Sequence, residues 1–303
     1  MDEVETRNEM AAVPSTTPSA DEEPAATAPP TPRFGYNPAL DGIRAFAILA
    51  VLGFHYTFRR RLLMPGGYLG VDAFFVLSGF LITTLLLAEH SRKSRISLRA
   101  FYARRALRLL PLLAVVLVVA IIVNIVASPL SEGRPSRQAI TAAAFYYANW
   151  FHLRPAGSEL GFLAATWSLS IEEQFYLVWP LLFIGMLRVG LRKGTLFAVT
   201  LAAAAASALW RLYLVTNHPT KKSFVDFYVL LTGQLPRRVQ SIAEGSHGDR
   251  VYFGSDTRAD MLLVGCALAI LLMWLGPRVT PLARRIVNVL GVVSAVVALW
   301  FMY

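Results

Sequence analysis

An arginine and a histidine with ten residues between them sit inside the first apolar stretch of this chain, Arg44 closing the string Leu-Asp-Gly-Ile-Arg and His55 closing Ala-Phe-Ala-Ile-Leu-Ala-Val-Leu-Gly-Phe-His. Eleven helical steps of about 100° return the chain to within about 20° of its starting direction, about 16 Å along the axis, so both side chains line one stripe. One is a fixed cation and the other an imidazole that can take or give a proton. Ionisable groups are costly in hydrocarbon and face a bundle interior or a wet cavity, so the pair marks a candidate site for chemistry within a membrane.

Further polar residues interrupt the later apolar stretches. Arg105 and Arg108, three apart in Phe-Tyr-Ala-Arg-Arg-Ala-Leu-Arg-Leu-Leu-Pro, share a helix face and form a fork suited to phosphate oxygens; topology anchoring and lipid headgroup contact is the competing reading. Glu172 and Glu173 follow Thr-Trp-Ser-Leu-Ser-Ile. Neighbours point about 100° apart, so one carboxylate can orient a catalytic partner while the other caps or forms a salt bridge. Asp72, a lone acid, is expected to cap its helix or to pair with Arg44, and Ser78 with Gly79 to permit close helix approach. Arg258 and Asp260 place polar groups at the head of a later span, whereas Arg211 is read as snorkelling. Trp167, Tyr176 and Trp179 read as interfacial or packing residues. His90, His152, His218 and His247 are scattered in expected loops without metal-ligand spacing, and no metal site is expected. Cys266, the one cysteine, excludes a disulfide within the chain and reads as a small buried hydrophobe.

The elements that must hold these groups are membrane helices. Over half of the 303 residues are hydrophobic, and charge is scarce. Mean hydropathy is +0.51, which places the chain among polytopic membrane proteins with an all-α transmembrane bundle. Seven spans are expected, at about 39–58, 68–88, 109–127, 162–187, 195–216, 259–275 and 286–303, each near the length a bilayer core requires. The apolar piece 139–151 is too short to be assigned as a span; the charge pattern favours a segment that does not cross. Residues 1–38, rich in Pro, Ala, Thr and acids, read as a disordered cytoplasmic tail, and 39–303 as the transmembrane domain, cut short at its end. The net charge of +10 could suggest nucleic acid, but the basic residues cluster at span ends, so membrane lipids are the expected partner and nucleic acid is not. With the tail inside, the stretch from Glu89 to Arg108, holding seven Arg and Lys residues, is also cytoplasmic, and 217–257 is an external loop.

Five strings, in order, resemble acyltransferase family 3, the bacterial membrane O-acyltransferases of envelope sugars: the Arg44 to His55 pattern, the run Gly-Val-Asp-Ala-Phe-Phe-Val-Leu-Ser-Gly-Phe-Leu-Ile, the Arg105 run, Trp-Ser-Leu-Ser-Ile-Glu-Glu-Gln-Phe-Tyr, and Thr-Arg-Ala-Asp-Met-Leu-Leu-Val-Gly. The resemblance implies a bundle of about ten helices in the inner membrane, of which this chain would be a C-terminally incomplete part. It implies acyl-coenzyme A, acetyl-coenzyme A above all, as donor substrate with no permanently bound cofactor, and a hydroxyl of an envelope glycan or lipid-linked molecule as acceptor. It makes His55 the catalytic histidine, Arg44 its companion, Glu172 the acid that orients the ring, and Arg105 and Arg108 the coenzyme A contacts. Asp72, Ser78, Glu173 and Arg258 would support them. A neutral imidazole can remove a hydroxyl proton as a thioester carbonyl is attacked. The alternatives are a transporter or flippase with an Arg, His and Glu relay, or a scaffold recruiting envelope enzymes through its acidic tail.

Overall fold

The computed structural model describes residues 38–55, 57–58, 61–62, 64–127, 133–153, 157–217, 247–276 and 285. The tail before Pro38, the last expected span and residues 218–246 lie outside the described residues, His218 among them. The rest is helical apart from a two-rung antiparallel ladder in which Thr57 pairs with Leu62 and Phe58 with Arg61. Helix α1 runs Pro38–His55, α2 Leu69–Lys93, α3 Leu98–Val126, α4 Arg137–Ala144, α5 Ala148–His152, α6 Thr166–Arg188, α7 Lys193–Asn217, α8 His247–Phe253 and α9 Ser255–Leu275, with a 3-10 segment Gly157–Ala165 ahead of α6. Of these, α1, α2, α3, α7 and α9 are long and apolar enough to cross a bilayer. Helix α6, at 23 residues, has the length, but Glu172, Glu173 and Gln174 lie inside it and it stands outside those five.

Several boundaries differ from the sequence expectation. Ser97 caps α3 by accepting from the Ala100 amide at 3.3 Å, so the helix starts eleven residues before 109 and carries Arg99, Arg104, Arg105 and Arg108 on its first turns. The piece 139–151 is two short helices, broken where Tyr146 takes a positive φ of 54°; neither is long enough to span. The end of the expected 217–257 loop is helical, forming α8 and the head of α9. His90 lies within α2, His152 ends α5 and His247 starts α8, so these three are helical residues rather than loop residues.

Lipid tails are as apolar as leucine, so small residues and cross-helix hydrogen bonds specify which helices meet. At Gly79 of α2 an added Cβ would collide with the Leu262 carbonyl of α9, and at Gly265 of α9 with the Val76 carbonyl of α2. This is the close approach expected from Ser78 and Gly79. Cys266, fully buried, points its thiol at the Gly79 carbonyl, 3.4 Å away. Around this crossing Ile82, Leu86, Phe101, Trp179, Phe183, Leu196 and Ile270 form the largest apolar cluster, joining α2, α3, α6, α7 and α9. Trp179 and Tyr176 are buried in it rather than set at the membrane interface. The outer flank of α3 is different: Leu107, Leu112, Val115 and Ile125 stand open, as a lipid-facing surface requires.

Cross-helix contacts fix the directions. Helices α2, α6 and α9 run parallel, since Asp72 meets Arg258 and Ser78 meets Glu172. Helices α3 and α7 run against them, since Tyr102 meets Leu177 where Arg105 meets Glu173, and Phe197 meets Trp274 where Arg211 meets Asp260. One end of the bundle therefore carries the basic turns at Arg92–Arg99 and Arg192–Lys193. The other carries the end of α1, the heads of α2, α6 and α9, and α8.

Candidate active site

Three consecutive residues of α6 reach three different elements. The Ser78 hydroxyl of α2 donates to Glu172 Oε1 at 2.9 Å. Glu173 accepts from Arg105 of α3, Nη2 at 2.6 Å and Nε at 3.0 and 3.1 Å to its two oxygens. Gln174 donates to the Tyr146 carbonyl at 2.7 Å and to Asn149 Oδ1 of α5 at 2.9 Å, and accepts from Ser255 at 2.5 Å. Side chains about 100° apart on one helix must diverge in this way. Of the two roles read for the glutamates, the salt bridge falls to Glu173, while Glu172 accepts from Ser78.

Arg105 also lies over the Tyr176 ring, 3.2 Å from its centroid. Charged neighbours on both sides, Arg105 of α3 and Arg44 of α1, bear electrostatically on the Glu172 carboxylate. Ser78, Glu172, Glu173, Tyr176 and Arg105 are thus one polar cluster joining α2, α3 and α6. Arg105 and Arg108 do not act as one fork here. The first is turned inward onto Glu173 and Tyr176; the second is exposed and has no ion pair among the described residues.

Helix α1 is continuous from Pro38 to His55, so the Arg44 and His55 stripe is preserved. Arg44 is half-buried and pairs with Asp41 at 3.2 Å. His55 stands exposed at the helix end, its Nδ1 2.8 Å from the Val51 carbonyl and its ring edge-on to Phe54. A carbonyl oxygen only accepts, so Nδ1 is the donor in this contact. The expectation that Glu172 orients this ring is corrected: the Val51 carbonyl does so, because the histidine reaches back one helical turn while Glu172 is taken by Ser78.

Asp72 neither caps α2, whose N-cap residue Tyr68 makes no side-chain capping bond, nor pairs with Arg44. It accepts from Arg258 Nη1 at 2.6 Å. Parallel α2 and α9 bring these two to the same level, which a single sequence does not show. Arg258 is 7% exposed, donates from Nε to the Tyr252 carbonyl at 2.9 Å, and lies 4.2 Å over the Tyr252 ring. Burial pushes the Tyr252 phenol up to about 12, against the pull of Arg258, so it keeps its proton at neutral pH. Arg211, read as snorkelling, is instead paired with buried Asp260 at 2.8 Å, which removes a lone charge from the α7 and α9 interface. Tyr176, Gln174, Asn149 and Tyr252 were not singled out as site residues; nearness in sequence to Glu172 or Arg258 could have flagged Tyr176, Gln174 and Tyr252, and nothing local could have flagged Asn149.

The fold and this ladder of intramembrane charges define a multi-pass membrane protein with a buried polar site. The chain belongs to acyltransferase family 3, whose model, described as an acyltransferase domain, matches residues 37–303. It is 34% identical over 269 residues to the peptidoglycan O-acetyltransferase OatA of Listeria monocytogenes, covering 86% of this chain and 38% of that protein. It is 34% identical over 242 residues to the O-acetyltransferase OatA of Staphylococcus aureus, covering 77% of this chain and 34% of that one. The chain thus spans about a third of the length of these curated relatives. No solved structure matches it.

Proposed function

We propose that this chain is the membrane module of an O-acetyltransferase, which takes an acetyl group from acetyl-coenzyme A and delivers it to a hydroxyl of a cell-envelope glycan. Peptidoglycan is the acceptor that the relatives' names favour. The module sits in the bacterial cytoplasmic membrane with its N-terminus in the cytoplasm, which puts the basic turns at Arg92–Arg99 and Arg192–Lys193 inside and His55 toward the outer face.

The observation that carries this reading is the His55 imidazole, anchored through Nδ1 on its own helix and without a partner at Nε2 among the described residues. Nε2 takes the acceptor hydroxyl proton as the oxygen bonds to the thioester carbonyl carbon. The carbon–sulfur bond then breaks, and the thiolate leaves with a proton returned from the imidazolium. The donor enters from the basic end, its phosphates met by exposed Arg108 and the neighbouring cationic turns, and its acyl arm passes Arg44 and Glu172 toward His55.

Membranes containing the full protein, given acetyl-coenzyme A labelled in the acetyl group and envelope glycan, should incorporate label as base-labile ester. Incorporation from free acetate alone, or none with the donor present while the protein is folded, overturns the reading. Movement of glycan across sealed vesicles without ester formation would indicate the transporter alternative.

A further inference from the structure

The end of the bundle that carries His55 holds a second group of polar side chains outside the Glu172 cluster. Phe54, next to His55, packs edge-on against Tyr68, ring centroids 5.8 Å apart. Tyr68 is the N-cap residue of α2, one helical turn before Asp72, and Arg258, which holds Asp72, lies 4.2 Å over the Tyr252 ring, so the four groups gather at the heads of α2 and α9. Asp72 and Arg258 form the floor through their 2.6 Å contact. Both tyrosines are half-buried, and among the described residues neither hydroxyl has a hydrogen-bond partner. Aromatic rings lie beside them: Trp167 is 5.0 Å from Tyr252 and 4.8 Å from Phe253 between ring centroids.

Two hydroxyls that can both donate and accept, over a paired carboxylate and guanidinium and beside an aromatic wall, match the chemistry of a sugar ring. Its hydroxyls exchange hydrogen bonds with phenols and charged groups, and its C–H face lies on aromatic carbon. A lipid chain would leave these polar atoms without partners, and a phosphate would meet Asp72 as well as Arg258. We propose that Tyr68, Tyr252, Asp72 and Arg258, with Trp167 beside them, form the subsite that holds the carbohydrate acceptor next to His55. This rests on the O-acetyltransferase reading and adds where the acceptor sits. Tyr68 and Tyr252 set acceptor affinity and take no part in proton transfer.

The test uses the full protein in nanodiscs and chitotetraose, a tetrasaccharide of N-acetylglucosamine, as probe. Titration without donor should quench tryptophan fluorescence, and the Tyr68→Phe and Tyr252→Phe double variant, which keeps both rings, should weaken this binding by tenfold or more. In transfer assays with acetyl-coenzyme A, the single variants should raise the KM for the sugar about tenfold while leaving kcat and the donor KM within about twofold. Quenching that is equally strong in the double variant, or absent in the native protein up to tens of millimolar sugar, overturns the subsite. Acetyl transfer that continues with unchanged sugar KM overturns it too, yet leaves the enzymatic reading standing. Sugar binding that is lost in the double variant, in a protein that transfers no acetyl group, supports the subsite and removes the enzymatic reading.

Discussion

Glu172, Glu173 and Gln174 are neighbours in sequence with unlike partners, and they should fail in unlike ways. Glu173→Gln leaves the half-buried Arg105 cation over Tyr176 without its counter-charge, and should lower stability by about 2 kcal/mol. A fall of several degrees in the detergent melting temperature would register this; an unchanged midpoint would mean that the pair contributes nothing. Glu172→Gln keeps its shape and its Ser78 contact, so it should melt near the native temperature while acetyl transfer drops about a hundredfold. Tyr252 supplies a pH dependence. Its folded-state pKa of about 12 lies above the usual value of about 10, so between these the unfolded chain binds fewer protons than the folded one. Stability is therefore unaffected below pH 10 and falls as pH climbs from 10 toward 12, and Tyr252→Phe should remove part of that fall. At this scale the sequence was legible where periodicity alone decides: the Arg44 and His55 stripe, and the diverging glutamates. It was illegible where a partner comes from another helix, because Asp72 has several cations at similar depth and only the parallel run of α2 and α9 selects Arg258.

Among the elements, the α2 and α9 crossing is the contact most sensitive to added volume. Gly79→Ala drives a methyl group into the Leu262 backbone carbonyl, which cannot swing away as a side chain can, and should cost several kcal/mol and most of the folded yield. Gly185 of α6 offers the contrast. Nothing lies within 4 Å of an added Cβ there, so Gly185→Ala should be neutral or stabilising by about 0.5–1 kcal/mol. Equal folded yields for the two variants, measured by size-exclusion of detergent extracts, would refute the crossing. Six of the seven spans read from hydropathy correspond to described helices, and the seventh lies outside the described residues. The early start of α3 was hidden because its arginines lower hydropathy without breaking the helix, and its Ser97 cap is a signal that hydropathy does not weigh. The break at Tyr146 carries no glycine or proline to announce it.

For the molecule as a whole, the cross-helix polar contacts run from the Arg105–Glu173 and Ser78–Glu172 pairs to the Asp72–Arg258 pair at the end of the bundle that also carries His55. The proposed reaction has donor and acceptor meet from opposite faces, with the basic turns inside. In a Cys266→Ala background, Arg95→Cys should react with an impermeant maleimide only after the membrane is opened, and Thr216→Cys should react in intact cells. The reverse pattern would invert the proposed orientation. The exposed imidazole at the end of α1, proposed as the base for acyl transfer, is tested by the acetyl-transfer rate of His55→Ala beside the native protein at matched folded amounts. A fall of about a hundredfold to ten-thousandfold, with donor binding retained, is expected; a rate equal to that of the native protein would contradict it.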